Sequence, residues 1–393
     1  MDAYFPGTEG TEPFHGGAFT TYLVQQLWRA PASATYEDVF VSVRESLKLN
    51  RFQQNPQIST GVPMRTEALF ASAGAPAAGT AFLPVVRVSG ATAELGAGQA
   101  VGVTPGSVLE SDGGATLVVE AVTRDRATVR VVKGSVAVGA KARLVGYRHL
   151  PSPLRVNVAG VDTETAAAVK RALGSSPRVN VIEQEQGYAD LFLRRRGTEV
   201  RLYGLDGFPR KAFQPGAAEA AAIARALMGE AAAKRLAEME NLGQTFGVRA
   251  WLDDHKTGFG LGETIRIHAS SERAGYLTVI DLGTDDKVTV LFPNAFHRDN
   301  RIQANAAFTF PSEEMGFEIE AQEPAGRGMV RAFITPAPLD LPTDDQGFVS
   351  GDIPLADRIA ESLRTAAGTV PGAGAAMRLD SWGTASLVYD ITR

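Results

Sequence analysis

Apolar residues recur at helical spacing near the start of the chain. Phe19, Leu23 and Leu27 stand at i, i+4 and i+8, which predicts a helix over residues 18–30. Val39, Val43 and Leu47 repeat that spacing, and Ser33 or Thr35 is placed to cap this second helix. Pro56 then pushes Asn55 out of the helical region, so residues 51–60 read as an extended piece. Between Phe82 and Tyr147 the period changes to two. FLPVVRV, ATLVVEAV, ATVRVV and ARLVGY alternate or are β-branched, with Gly-containing turns between them, which predicts a small β barrel or sandwich.

From Leu154 to Phe213, strands (LRVNVAGV, VNVIEQ, ADLFLRR, EVRLYGL) enclose one helix, TETAAAVKRALGS, giving a small α/β unit. An Ala-rich helix follows over residues 217–241, with Gly229 reading as an interruption and Ile223, Leu227 and Leu236 near one stripe. The remainder is strand-rich again, with a hairpin turn at Thr284-Asp285-Asp286, a helix at about 355–367 and a last strand, SLVYDIT. The pattern gives an α+β multidomain chain. Its segments are 1–62, a linker at 63–81, a small β domain at 82–150, an α/β unit with a long helix at 151–241, and a β-rich, sandwich-like domain at 242–393.

Composition narrows the function classes. Among 393 residues, 44% are hydrophobic and 21% charged, which supports a buried core. Gly 41 and Pro 21 together exceed average usage and favour many turns. Lys+Arg 39 against Asp+Glu 44 gives a net charge of −5, no footprint for nucleic acid. No run of 18 apolar residues predicts a membrane span, and residues 1–20 hold no signal-type apolar run. A soluble chain is expected, cytoplasmic or exported according to what precedes Met1. Cys 0 removes disulfides, thiolate metal sites and a cysteine nucleophile.

Spacing alone assigns no catalytic, substrate-binding or metal-ligating residue, and no cofactor. His15, His149, His255, His268 and His297 form no HExxH or i, i+4 pair and read as surface or turn residues. Gly258, Gly260 and Gly262 precede a strand rather than a phosphate-binding helix, so a turn is the better account. Arg194, Arg195 and Arg196 read as a solvated strand edge. Asp253-Asp254 and Asp285-Asp286 lack a calcium-loop pattern and read as turns. Trp251, read at a strand start, and Trp382 read as core anchors.

Two stretches resemble known families. His15-Gly16-Gly17-Ala18-Phe19-Thr20 opening a helix, Thr35-Tyr36-Glu37-Asp38-Val39 opening the next, and Gln54-x-Pro56-Gln57 in a last strand resemble the small-subunit half of bacterial caspase-like (clan CD) cysteine peptidases. Over about Gly262 to Pro336, Gly275-Tyr276-Leu277, the DLGTDDKVTV hairpin and Leu291-Phe292-Pro293-Asn294 are similar to a β-rich domain of unknown function that often accompanies such peptidases.

The first resemblance implies cysteine-type endopeptidase ancestry, with the catalytic Cys and His in a large-subunit half that would lie before residue 1. This chain has no Cys, and His15 belongs to the small-subunit motif, so it implies a chain inactive alone, meeting a protein or peptide substrate through that other half. Relatives that cleave after Arg or Lys carry an acidic residue near MDAYF, where Phe5 stands here, so a basic preference is not implied. The alternative reading is a non-catalytic protein-binding or scaffold protein built from β modules.

Overall fold

A computed structural model of the chain describes residues 2–5, 14–30, 34–54, 56–57, 82–184, 189–205, 207, 209–214, 219–342, 344, 347–371 and 374–393. The expected linker at 63–81 and the candidate cap Ser33 lie outside them. The architecture is β-rich α+β.

Strands β1 (Asp2–Phe5) and β2 (Phe14–Gly17) form an antiparallel pair that leads directly into α1 (Ala18–Arg29). Helix α2 (Tyr36–Leu49) begins at Thr35, whose hydroxyl accepts from the Asp38 backbone N–H while the Asp38 carboxylate accepts from the Thr35 N–H. This reciprocal cap fixes the helix start without a strong propensity. Val39, Val43 and Leu47 are buried against Ala18, Tyr22 and Phe52, as their spacing predicts. Gln54, Pro56 and Gln57 carry no strand, which corrects the expectation that the third motif lies in one. The turn after α2 takes over there: Arg51 adopts a left-handed conformation, and the Phe52 N–H bonds back to the Leu47 carbonyl.

The next six strands are β3 (Phe82–Ser89), β4 (Thr92–Leu95), β5 (Val108–Ser111), β6 (Thr116–Val122), β7 (Ala127–Lys133) and β8 (Lys141–Tyr147). They pair in the order β8-β3-β4-β7-β6-β5, and β5 returns to β8, so the sheet closes into an antiparallel barrel. Closure removes the edges that an open sheet would expose. Leu83, Val85, Leu95, Leu117, Val119 and Val129 fill the interior.

The α/β unit is a mixed sheet of β9 (Leu154–Gly160), β10 (Val179–Ile182), β11 (Leu191–Arg196), β12 (Glu199–Gly204) and β13 (Pro209–Phe213), in the order β10-β9-β11-β12-β13. The crossover helix α3 (Thr163–Leu173), capped by Asp162, links the parallel pair β9 and β10. The long helix α4 (Ala220–Ala237) runs unbroken through Gly229, against the expected interruption.

The remaining strands are β14 (Val248–Leu252), β15 (Gly258–Gly260), β16 (Thr264–Ile265), β17 (Ile267–Ser271), β18 (Gly275–Leu282), β19 (Val288–Phe292), β20 (Arg301–Ile302), β21 (Ala307–Phe310), β22 (Ile319–Glu320), β23 (Gly326–Thr335), β24 (Val349–Gly351), β25 (Met377–Arg378) and β26 (Gly383–Thr392). The order β15-β26-β23-β18-β19-β24 forms the main sheet, with β20 also pairing β18. Its two faces are both covered. Leu277, Val279, Val330, Ala332 and Ile334 pack toward the small sheet β14-β17-β21, through Leu252, Ile267, Ala269 and Phe310. Ile280, Leu282, Met329 and Phe333 pack on the other side, in one cluster with Ile223, Leu227 and Leu236 of α4 and Ile353, Ile359 and Leu363 of α5 (Ile353–Ala367). Trp382 is fully buried in that cluster, as its core reading expects. The β18–β19 hairpin turns at residues 283–287, as the sequence predicts, and Asp286 there is left-handed. No described helix is long and apolar enough to cross a membrane.

Candidate functional site

Helix α2 is flanked by two clefts that share Ser46, Leu49, Val103, Glu240 and Leu242. The first, of about 380 Å³, lies between the helical pair, the barrel and the α/β unit. A carboxyl, an imidazole and a hydroxyl meet in its wall. Ser152 Oγ donates to Glu238 Oε1 at 2.8 Å. His149 Nδ1 lies 3.0 Å from the Glu238 carbonyl oxygen. That carbonyl only accepts, so Nδ1 carries the ring hydrogen and Nε2 presents its lone pair. Neither His149 Nε2 nor Glu238 Oε2 has a hydrogen-bond partner, and both atoms are covered.

Burial dominates the electrostatics of this pair. It lowers the His149 pKa to about 3, helped by the charges of Arg235 and Arg331 and opposed by the bond to Glu238. The imidazole is therefore neutral across ordinary pH. Burial pushes the Glu238 carboxyl above the usual carboxylate range, against the pull of Lys234, Ser152 and Arg235. A neutral imidazole acceptor beside a carboxyl whose pKa burial raises can hold a hydrogen-bonding group. Three cations in the wall are paired, Lys234 with Asp190 at 3.0 Å, Arg235 with Asp357 at 3.2 Å and Arg51 with Glu230 at 2.7 Å, and Arg210 donates to the Arg51 carbonyl oxygen.

His268 stands in a second polar cluster. Its Nε2 lies 2.5 Å from Asp253 Oδ1, and its Nδ1 lies 3.0 Å from Thr309 Oγ1. Trp251, His268 and Thr309 are cross-strand neighbours on β14, β17 and β21, and the Trp251 ring stacks on the imidazole at 5.4 Å. Carboxylate, imidazole and hydroxyl form a chain of contacts, and none of the three lines either cleft. These contacts tie the end of β14 to β17 and β21.

These positions correct several sequence readings. His149 is covered in a cleft wall and His268 is tied into a sheet, so neither is a surface or turn residue. His255 and His297 do lie in turns, the first in a short 3₁₀ turn at residues 253–255 and the second beside the Asn294 loop. His15 pairs with Tyr4 through the backbone of β1–β2. Arg194, Arg195 and Arg196 pair with Arg201, Val200 and Glu199 of β12; Arg195 and Arg196 are solvated at the strand end as expected, but β11 is the middle strand of its sheet, so they guard no edge. Trp251 is the fourth residue of β14 and lines the second cleft instead of anchoring a core. The Gly258–Gly260 segment is itself a strand, followed by a turn with Gly262 left-handed. Asp253 binds His268, and the adjacent Asp254 takes a left-handed turn conformation. Among the described residues no three His, Asp or Glu side chains converge to hold a metal ion. Ser152 and Glu238 escape a sequence reading because they meet across 86 residues.

Residues 259–338 match a family model described as a domain of unknown function, DUF4384. The stretch with the GYL and LFPN motifs falls within it. The match covers β15 to β23 of the main and small sheets and does not reach residues 14–57. No curated protein matches the chain.

Proposed function

We propose that this chain is the non-catalytic portion of a caspase-like cysteine endopeptidase, a small-subunit segment joined to accessory β domains, and that it cleaves no peptide alone. The supporting observation is the order of elements at the motifs. Strand Phe14–Gly17 runs into α1 at Ala18, and the Thr35–Asp38 cap then opens α2. Peptide cleavage by this family's chemistry needs a thiolate, and a chain with Cys 0 supplies none. Translation of the DNA upstream of Met1 tests the reading. A continuous frame carrying strand–His-Gly and strand–Asp-x-Cys contexts is expected, whereas a ribosome-binding site at Met1 preceded by stop codons overturns it. Peptide turnover by the pure chain, insensitive to thiol reagents, would contradict the inactivity.

A non-catalytic binding or scaffold role is the second reading, and one loop favours it. Phe296 is 63% exposed on a turn held by Asn294, whose Oδ1 accepts from the Phe296 and His297 N–H groups. A fixed loop presenting an exposed aromatic suits contact with a protein. A genuine start at Met1 would leave this reading standing.

A further inference from the structure

Aromatic rings gather where the Asn294 loop meets the chain that enters β24. Phe317 and Phe348 meet edge to face with centroids 5.8 Å apart, and the His297 ring lies 6.5 Å from Phe317. Both phenylalanines are half-buried and rest on the fully covered Phe310. Phe296 extends this row outward. The Ala295 N–H donates to the Gly347 carbonyl oxygen at 3.3 Å, which holds the loop beside Phe348, while the Asn294 side chain fixes the turn. At 63% exposure, Phe296 is the least covered aromatic side chain among the described residues. Its ring belongs to no core cluster, and an aromatic held in place supplies contact area at low entropic cost.

The charges around these rings are mainly acidic. Glu313 and Glu314 begin the 3₁₀ turn that leads to Phe317, Glu318 and Glu320 follow it, and all four are exposed. Among the described residues only Glu318 of these has a cation in reach, Arg266 at 3.9 Å. From residue 302 to residue 326 the chain carries five Glu and no Lys or Arg, so this stretch supplies no counter-charge of its own. Arg298 and Arg301 stand on the Phe296 loop with Asp299 between them and offset part of the negative charge. The carboxylates remain in excess. Ring faces and carboxylates attract the same sign of charge, so the surface is complementary to cations that carry apolar neighbours.

We propose that this surface docks a basic, apolar segment of a partner protein, its Lys or Arg side chains on the carboxylates about Phe317 and its apolar side chains over Phe296. The proposal rests on the binding role given above to the Phe296 loop and names the partner's chemistry. Titration of the full chain with fluorescent peptides of about twelve residues, built from Lys and Leu, from Glu and Leu, or from Ser and Leu, tests it. The Lys/Leu peptide is expected to bind at least about tenfold tighter than the other two. Phe296→Ala should weaken it about tenfold or more, and Glu314→Lys about threefold or more. Both side chains are exposed, so both variants should keep the melting temperature of the parent chain. Equal binding of the peptides, no binding of any up to about 1 mM, or an unchanged affinity in Phe296→Ala overturns the proposal. Self-association of the chain that Phe296→Ala abolishes, or binding to anionic lipid vesicles in place of the Lys/Leu peptide, gives the surface to another occupant and overturns it as well. The binding reading itself is decided separately, by the start at Met1.

Discussion

A Cβ added to Gly229 would stand 2.1 Å from the Cβ of Asp286. The tip of the β18–β19 hairpin therefore presses directly onto the middle of α4, and only a residue without a side chain leaves it room. Lys211, from β13 of the neighbouring sheet, pairs with Asp286 at the same place. The glycine that looks like a break in an Ala-rich helix is a docking notch.

Gly229→Ala inverts the usual rule. In an open helix the exchange stabilises by about 1 kcal/mol. Here the clash is with a backbone-proximal carbon that cannot swing aside, and overpacking of that kind costs roughly 1–3 kcal/mol. Urea unfolding should show a lower midpoint with an unchanged slope. A midpoint equal to or above that of the parent chain contradicts the docking notch.

Arg51 fastens the end of α2 to α4. Its Nη1 lies 2.7 Å from Glu230 Oε1, and Glu230 is only 4% exposed. Arg51→Met strands a buried carboxylate and should cost about 3–5 kcal/mol. Adding Glu230→Leu removes the stranded charge and should recover much of that loss. If the double variant is no more stable than Arg51→Met alone, the ion pair is not what fixes this junction.

Asp281 makes stability depend on pH. Burial raises its pKa from 3.8 to about 7, opposed by the hydrogen bond from the Tyr389 hydroxyl, 2.9 Å away, and assisted by Asp285. The folded value exceeds the unfolded one, so the contribution is fully present below about pH 4 and is lost as pH rises through 7. Asp281→Asn keeps an acceptor for Tyr389 and cannot ionise. The variant should match the parent near pH 4 and exceed its stability by about 2–4 kcal/mol near pH 8. Parallel stability curves across that range would show that Asp281 does not govern the pH response.

Local pattern carries much of this fold. Val39, Val43 and Leu47 mark the buried face of α2, and Leu117 and Val119 mark the inward side of β6. Period reports which way a side chain faces, because facing is set by nearest neighbours along the chain. Strand order is another matter. Whether the β domain closes rests on the pairing of Val108 with Gly146, and the placement of Arg194, Arg195 and Arg196 rests on β11 lying between β9 and β12. Neither has a local signature. The clefts are legible only in part. Ser152 and Glu238 meet through tertiary packing alone, whereas Arg331, between Met329 and Phe333 in an apolar strand, breaks its own alternation and is a signal that the sequence does hold.

Met377 and Arg378 pair with Tyr147 and Gly146, so β25 completes the end of a barrel strand laid down roughly 230 residues earlier. At ribosomal rates of about 5–20 residues per second, β8 would emerge some tens of seconds before that partner. The barrel is thus asked to hold its shape with that end of β8 lacking its β25 neighbour while four further sheets are still being made. Their late arrival joins the barrel to a stretch of chain that follows the α/β unit and most of the main sheet, without a covalent link.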